Sequence, residues 1–338
     1  MKVLFLLKSD KTPSSRIRVL DMLPGLRENG IEPEVEFLPD SFWKRRELLR
    51  KAKDYPVTVL QKRLLSFLDF HELRRKAKCL IFDFDDAIYH RNASCSANPD
   101  DYLSSTRLGK FKRMVSGADM VIAANQVLAR KAMDICCGIT ARIIPSPVDT
   151  ANVVPKDSWN LGNPPVVGWI GTRSTLRYLD MIASALRTAA RKREFVLRVI
   201  SDRAYEMEGV RTESVRWSLE GQNDQIREFD VGIMPLSQDP FSEGKSAYKL
   251  LQYFSLGVPS VCSPVGMNAE LAGNNINCLM AGAGNEFGDQ IIRLLDDGVL
   301  REELGRKGRN LAERKFDRKV VAADFARALK EAPELRKT

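Results

Sequence analysis

Short strand-length runs, most of them largely apolar, alternate with helically spaced segments along this chain, and the alternation happens twice. In the first half the apolar runs fall at 3–7, 31–37, 57–61, 79–84, 120–123 and 141–145. Helical spacing fills the gaps at 15–29, 41–52, 67–77, 106–117 and 126–136. Runs that are apolar on both faces suit strands covered by helices on either side, which is the setting of a parallel sheet. The segment 146–165, SPVDTANVVPKDSWNLGNPP, is rich in Pro, Asn, Asp and Ser and reads as a linker. The pattern then restarts, with strands expected at 166–170, 195–200, 215–217, 231–234 and 260–262. Helices are expected at 178–191, 223–228, 286–295, 300–314 and 319–332. The expected class is therefore α/β, with residues 1–150 and 151–316 as two domains of the same architecture.

Composition narrows the function classes. The chain has 338 residues, 44% of them apolar, which is enough for two cores. No apolar run reaches the roughly 18 residues that span a bilayer. The opening MKVLFLLKSD is too short in apolar residues for a secretory signal and reads as a first buried strand. Six cysteines without a C-x-x-C pair, and only His71 and His90, argue against a metal site. Such cysteines suit a reduced, cytoplasmic protein, with Cys136 and Cys137 read as packing residues. The net charge is +9, and residues 1–150 hold 26 Lys and Arg against 19 Asp and Glu. That imbalance points to an anionic partner for the first half. Residues 41–53, SFWKRRELLRKAK, form either a basic amphipathic helix for a membrane surface, with Phe42, Trp43, Leu48 and Leu49 near one face, or an ordinary helix packed on the sheet. No RNA-recognition, zinc-finger or coiled-coil signature is present, so no nucleic-acid partner is expected.

Chemistry concentrates in the stretch Asp239 to Glu270, DPFSEGKSAYKLLQYFSLGVPSVCSPVGMNAE. A polar loop with Gly244, Lys245 and Ser246 leads into an amphipathic helix, which Gly257 ends. A helix entrance has unpartnered N–H groups and a positive dipole end, so it attracts anions. Lys245 and Lys249 add two full charges one helical turn apart. They suit a diphosphate, and Lys249 would neutralise the charge that grows on a departing one. Gln252 is placed to meet a sugar or ribose hydroxyl. The GWIGTRST run gives a strand, a glycine turn and then hydroxyls, with Gly171, Thr172, Arg173, Ser174 and Thr175 as phosphate-binding candidates. Trp217, Ser218 and Leu219 close another strand and line a candidate nucleobase slot. In the first half, DFDDAIY puts Asp83, Asp85 and Asp86 at the carboxyl end of a strand, followed by His90. Asp85 and Asp86 would orient or deprotonate an acceptor hydroxyl. Ser15, Arg16 and Arg18, behind the first strand, would hold an acceptor or a phosphate with Asp83 and His90.

The Gly-Lys-Ser-Ala-Tyr-Lys-Leu-Leu-Gln-Tyr segment resembles the donor site of nucleotide-sugar glycosyltransferases of family 4, also called group 1. Pro145 to Asp149 resembles that family's hinge, and Ser14 to Arg18, DFDDAIY and GWIGTRST resemble its other loops. The resemblance implies the GT-B architecture, two Rossmann-like parallel-sheet domains facing across a cleft, with a last helix at about 317–332 packed back on the first domain. It implies a donor such as a UDP- or GDP-sugar, a saccharide or lipid-linked acceptor, retention at the anomeric carbon, and no cofactor or obligatory metal. Cell-envelope polysaccharide or glycoconjugate synthesis at the inner face of the membrane is the expected setting. The sequence departs from the family pattern at Gln252, which stands where the second Glu is usual, and Glu243 lies nine positions before it rather than eight. A non-catalytic sugar-nucleotide or polysaccharide-binding module is therefore the second reading. The third is a haloacid-dehalogenase-like phosphatase using Asp83 and Asp85.

Overall fold

A computed structural model of the chain describes residues 1–93, 95–273, 275–282 and 284–337. Two six-stranded sheets organise it, and every strand pairing among the described residues is parallel. The first contains β1 (Lys2–Leu7), β2 (Glu32–Phe37), β3 (Val57–Gln61), β4 (Leu80–Phe84), β5 (Met120–Ala123) and β6 (Thr140–Ile143), in the order β2-β1-β3-β4-β5-β6. The second contains β7 (Val166–Ile170), β8 (Val196–Ser201), β9 (Thr212–Arg216), β10 (Val231–Met234), β11 (Ser260–Cys262) and β12 (Leu279–Met280), in the order β12-β11-β10-β7-β8-β9. Helices cover them: α1 (Pro13–Arg18), α2 (Leu23–Glu28), α3 (Phe42–Arg50), α4 (Phe67–Lys76), α5 (Ser105–Gly117), α6 (Gln126–Ile135), α7 (Arg177–Met181), α8 (Ala183–Lys192), α9 (Gln222–Arg227), α10 (Pro240–Glu243), α11 (Tyr248–Ser255), α12 (Met267–Ala272), α13 (Glu286–Asp296), α14 (Gly298–Leu311) and α15 (Arg318–Glu331).

Contacts divide the chain into two compact units. The first is Met1–Pro147 with Glu243–Ser246 and Arg318–Thr338, and the second is Val148–Ser242 with Ala247–Asp317. In unit 1, β3, β4 and β5 are buried along their whole length, as their apolar sequences require. β2 is an edge strand. Its three Glu residues and Pro33 suit an edge, where one side of the backbone needs no ladder partner. α15 packs on α2, and Phe325, Ala326 and Leu329 share a core with Val19, Met22 and Leu26. Burial of each such large side chain is worth roughly 1.5–3 kcal/mol before entropy is counted. In unit 2, Tyr178, Phe229, Tyr253 and Phe254 fill one of two cores, and Trp169, Leu186 and Phe195 the other.

Three expectations for local structure are corrected. The helix expected over 15–29 breaks into α1, a 3-10 turn at Leu20–Met22, and α2. Pro24 explains the break: it has no N–H to donate and is tolerated only in a first turn, where it sits in α2. The helix expected over 178–191 splits into α7 and α8 around Ile182. Within α3, Leu48 and Leu49 are buried but Trp43 is 77% exposed, so the four apolar residues do not share one face.

Candidate functional site

In both sheets the strand order reverses direction in the middle, and a parallel sheet opens a crevice at the carboxyl ends of its strands there. In unit 1 the reversal lies between β1 and β3; in unit 2 it lies between β7 and β10. The residues singled out in the sequence gather at these two edges.

In unit 2, β7 ends at Ile170 and the chain turns at Gly171. A Cβ on Gly171 would lie 2.4 Å from the Trp169 ring and 2.8 Å from Thr175 Oγ1, so glycine is required there. Lys249, on α11, holds its ammonium 5.3 Å from the centroid of the Trp169 ring. The structure thus brings Lys249 to the root of the glycine turn, 80 residues away in sequence. Ala247, the capping residue before α11, has a left-handed φ of +50°, and the helix ends in the capping pattern that a glycine permits. There Gly257 has a φ of +69°, and Val258 N–H donates to the Tyr253 carbonyl at 2.9 Å. Gln252 is buried, and its amide donates to Gln222 Oε1 at 3.1 Å. Trp217 Nε1–H donates to the same oxygen at 3.2 Å. Gln222, missed by sequence reasoning, therefore joins Gln252 to Trp217. Trp217 and Leu219 are exposed, while Ser218 Oγ accepts from Gly221 N–H within its own turn.

The glycine turn is less open to anions than its sequence implies. Gly171 N–H already donates to the Ile200 carbonyl at 3.0 Å, which corrects the expectation that it is free for phosphate. Residues Arg173–Thr175 form a 3-10 turn without a side-chain cap. The Arg173 N–H donates to the Asp202 Oδ1 carboxylate oxygen at 2.6 Å. Thr172 and Ser174 hydroxyls are 2.9 Å apart and exposed, and Thr175 Oγ1 donates to the Thr172 carbonyl. Asp239, the head of the long motif, is buried as the cap of α10, accepting from the N–H groups of Phe241 and Ser242 at 2.9 and 2.8 Å.

Unit 1 has a different chemistry. Arg18 is 1% exposed and Asp83 fully buried, and they pair through Nη2–Oδ1 at 2.5 Å and Nε–Oδ2 at 3.0 Å. Burial alone would lower the Arg18 guanidinium; Asp83 opposite outweighs it and raises it. Arg18 and Asp83 are therefore spent on each other, which corrects the expectation that they hold a ligand. It also leaves Asp83 unable to act as a phosphatase nucleophile. Lys62 directly follows β3 with a φ of +54°, a left-handed backbone that a lysine adopts only under strain. Its ammonium donates to Asp86 Oδ2 and, at 2.8 Å, to Ser14 Oγ. It also lies 2.8 Å from Asp85 Oδ1, an ion-pair contact off the ideal hydrogen-bond direction. Burial would lower Lys62, but the Asp85 and Asp86 carboxylates outweigh it and raise it. For Asp85, burial pushes upward, but Lys62, Arg18 and a hydrogen bond from Ser14 together more than offset it, so the net direction is down. Of the three aspartates, Asp86 alone keeps appreciable side-chain exposure, 29%.

Ser15 Oγ donates to Gln61 Oε1 at 3.2 Å, Arg16 is half-buried, and His90 Nδ1 contacts the Tyr102 carbonyl at 3.3 Å. Residues 243–246 belong to unit 1, where Asn125 Nδ2 donates to the carbonyls of Gly244 and Lys245 at 3.2 and 3.1 Å. Lys245 and Ser246 are half-buried. Lys62 escapes sequence reasoning because its importance rests on the neighbouring strand order, though its place immediately after an apolar strand is a usable signal.

Solved structures share this fold. A sucrose-phosphate synthase from Thermosynechococcus elongatus aligns with a TM-score of 0.76 at 15% identity, covering 98% of each chain. HepE from Anabaena in complex with UDP aligns with a TM-score of 0.71 at 16% identity, covering 98% of this chain and 100% of that one. A glycosyltransferase from Rickettsia africae aligns with a TM-score of 0.69 at 10% identity, covering 100% and 99%. No protein-family model matches the chain, and no curated protein matches its sequence. At these identities the likeness establishes the architecture: two six-stranded parallel sheets with helices, the GT-B fold.

Proposed function

We propose that this protein is a family 4-type glycosyltransferase that moves a sugar from a nucleotide-sugar to an acceptor hydroxyl. The observation that carries the reading is Lys249 set against Trp169 at the root of the Gly171 turn, at the point where the strand order of unit 2 reverses. An ammonium there suits a diphosphate leaving group, whose negative charge grows as its bond to the anomeric carbon breaks. Within unit 2, Thr172, Ser174, Thr175 and Gln252 offer hydrogen bonds to phosphate or sugar. Trp217 and Leu219 offer an apolar surface to the base. HepE has been solved with UDP and with UDP-glucose, and TarM from S. aureus with UDP and alpha-GlcNAc-glycerol, which makes UDP the first nucleotide to try.

On this reading residues 151–316 bind the donor and residues 1–150 the acceptor, with Asp86 the carboxylate exposed enough to meet an acceptor hydroxyl. Reaction with retention and without a metal, in the cytoplasm, on an envelope saccharide or lipid-linked acceptor, completes the proposal. Peripheral attachment to the inner membrane face is favoured by the exposed Trp43, Phe67 and Leu68 beside the basic segment 42–78. Among the described residues no helix is long and apolar enough to cross a membrane.

The test is a thermal-shift screen against UDP, GDP, ADP and their sugar conjugates. A shift for one nucleotide that disappears in Lys249→Ala supports the donor site; a shift unchanged in that variant refutes it. A non-catalytic binding module is the second reading, favoured by Gln252 acting as a donor to Gln222 where an acid is usual. If Gln252→Glu gains sugar transfer over an inactive parent, that second reading is correct.

A further inference from the structure

We propose that the pocket at the carboxyl ends of β1 and β3 in unit 1 binds a phosphate-bearing group, which makes the acceptor a phosphorylated molecule. The word acceptor rests on the glycosyl-transfer reading; the anion site itself does not.

The pocket measures about 490 Å³, and Lys8, Gln61, Lys62, Arg63, Arg107 and Lys110 line it. None of its lining residues is acidic. Lys62 is committed to Asp85 and Asp86. Among the described residues, no carboxylate lies within 4 Å of the charged groups of Lys8, Arg63, Arg107 or Lys110. Several cations converging on one concavity without counter-charges leave a positive potential that an anion relieves. Gln61 is an independent sign. It is 1% exposed, its amide oxygen is held by Ser15, and its amide nitrogen is buried with no hydrogen-bond partner. Buried donors are almost always satisfied, so an unfilled one on a pocket wall marks where a ligand oxygen belongs. The location fits as well, because this is where the strand order of the sheet reverses. Phosphate oxygens match this set: they take forked hydrogen bonds from Arg63 or Arg107, point-charge contacts from Lys8 and Lys110, and the Gln61 N–H.

A sugar phosphate and a lipid phosphate share this chemistry, and binding to the full-length protein separates them. Calorimetry would use inorganic pyrophosphate, glucose 6-phosphate, dodecyl phosphate and, as the neutral control, glucose. The phosphate compounds are expected to bind and to compete with one another, while glucose is not. Tighter binding of glucose 6-phosphate than of pyrophosphate supports the site with a sugar phosphate as its ligand. Tighter binding of dodecyl phosphate supports it with a lipid phosphate. Arg63→Ala/Lys110→Ala should weaken binding by about tenfold or more. Gln61→Met should weaken it severalfold without removing a charge. Wild-type protein that binds no phosphate compound, or a double variant that binds them as wild type does, overturns the proposal. A crossed measurement with UDP keeps the two hypotheses apart. Lys249→Ala should lose UDP and keep glucose 6-phosphate, and the double variant should do the reverse. Loss of UDP binding alone in wild-type protein would remove the donor reading and leave the phosphate pocket standing.

Discussion

The carboxyl edges of the two sheets have the same topology and different arrangements of charge. In unit 1 the edge is dense with buried charge: Arg18 answers Asp83, and Lys62 answers Asp85 and Asp86. In unit 2 the edge carries exposed hydroxyls, Lys249 over an indole ring, and the exposed Asp202 seated on the Arg173 N–H. A parallel sheet supplies the crevice in both cases. What fills the crevice decides what each can bind. Charges neutralised inside the protein hold a framework, whereas exposed hydroxyls such as those of Thr172 and Ser174 face solvent.

The sharpest way to break that comparison is to remove one buried charge. Arg18→Met strands the Asp83 carboxylate in the interior and is expected to destabilise the protein by about 3–5 kcal/mol. Urea unfolding measures it, and the double variant Arg18→Met/Asp83→Leu should recover much of the loss, since no uncompensated charge remains. A small loss in the single variant would mean that the pair is not part of the framework. In unit 2 the expectation reverses: Lys249→Ala should leave the unfolding midpoint nearly unchanged and lower kcat by roughly 10²–10³-fold. Steady-state kinetics with the donor found in the nucleotide screen reads this.

Asp202 sharpens the contrast further. If it occupies the place of a phosphate oxygen, Asp202→Ala should tighten nucleotide diphosphate binding by roughly two- to fivefold, because an exposed charge is worth little more than that. Unchanged or weaker binding, measured by calorimetry, would show that the carboxylate supports the loop instead.

The smallest effect expected is an acid limb. Glu72 accepts from Arg46 at 2.8 Å and Arg50 at 3.1 Å, tying α4 to α3. The Arg46 hydrogen bond, opposed by burial and helped by Arg50, lowers the carboxyl from 4.5 to about 2. A folded value below the unfolded one means that the stabilisation is complete above the unfolded value and drains away as pH falls through the folded one. Unfolding midpoints should decline from about pH 4.5 towards about pH 2, and Glu72→Gln should flatten that part of the curve.

Much of the second unit's site is legible in the amino-acid sequence. The 260–262 strand, the Gly257 helix stop and the Gly171 turn are all local, set by hydrophobic period and by backbone freedom. Gly171 and Lys249 each stand out as candidates, but their proximity does not, because Trp169 joins them only when β7 and α11 pack. Unit 1 is harder to read. Arg18, Asp83, Asp85 and Asp86 stand out as charged residues beside strands, and the natural reading is that they serve a ligand. Lys62 and Gln61 escape notice because each looks like the polar end of a strand.

The sequence alone determined the class of fold, since apolar runs of strand length between helical segments leave few ways to bury both. It also determined where the chain turns, through Gly, Pro and the capping residues. Tertiary structure decided which charges pair inside the protein. Arg18 and Asp83 are 65 residues apart, and only the pairing of β1, β3 and β4 brings them within a hydrogen bond. Charge neutralisation depends on distances of a few ångströms between elements remote in sequence, and strand order is what sets those distances.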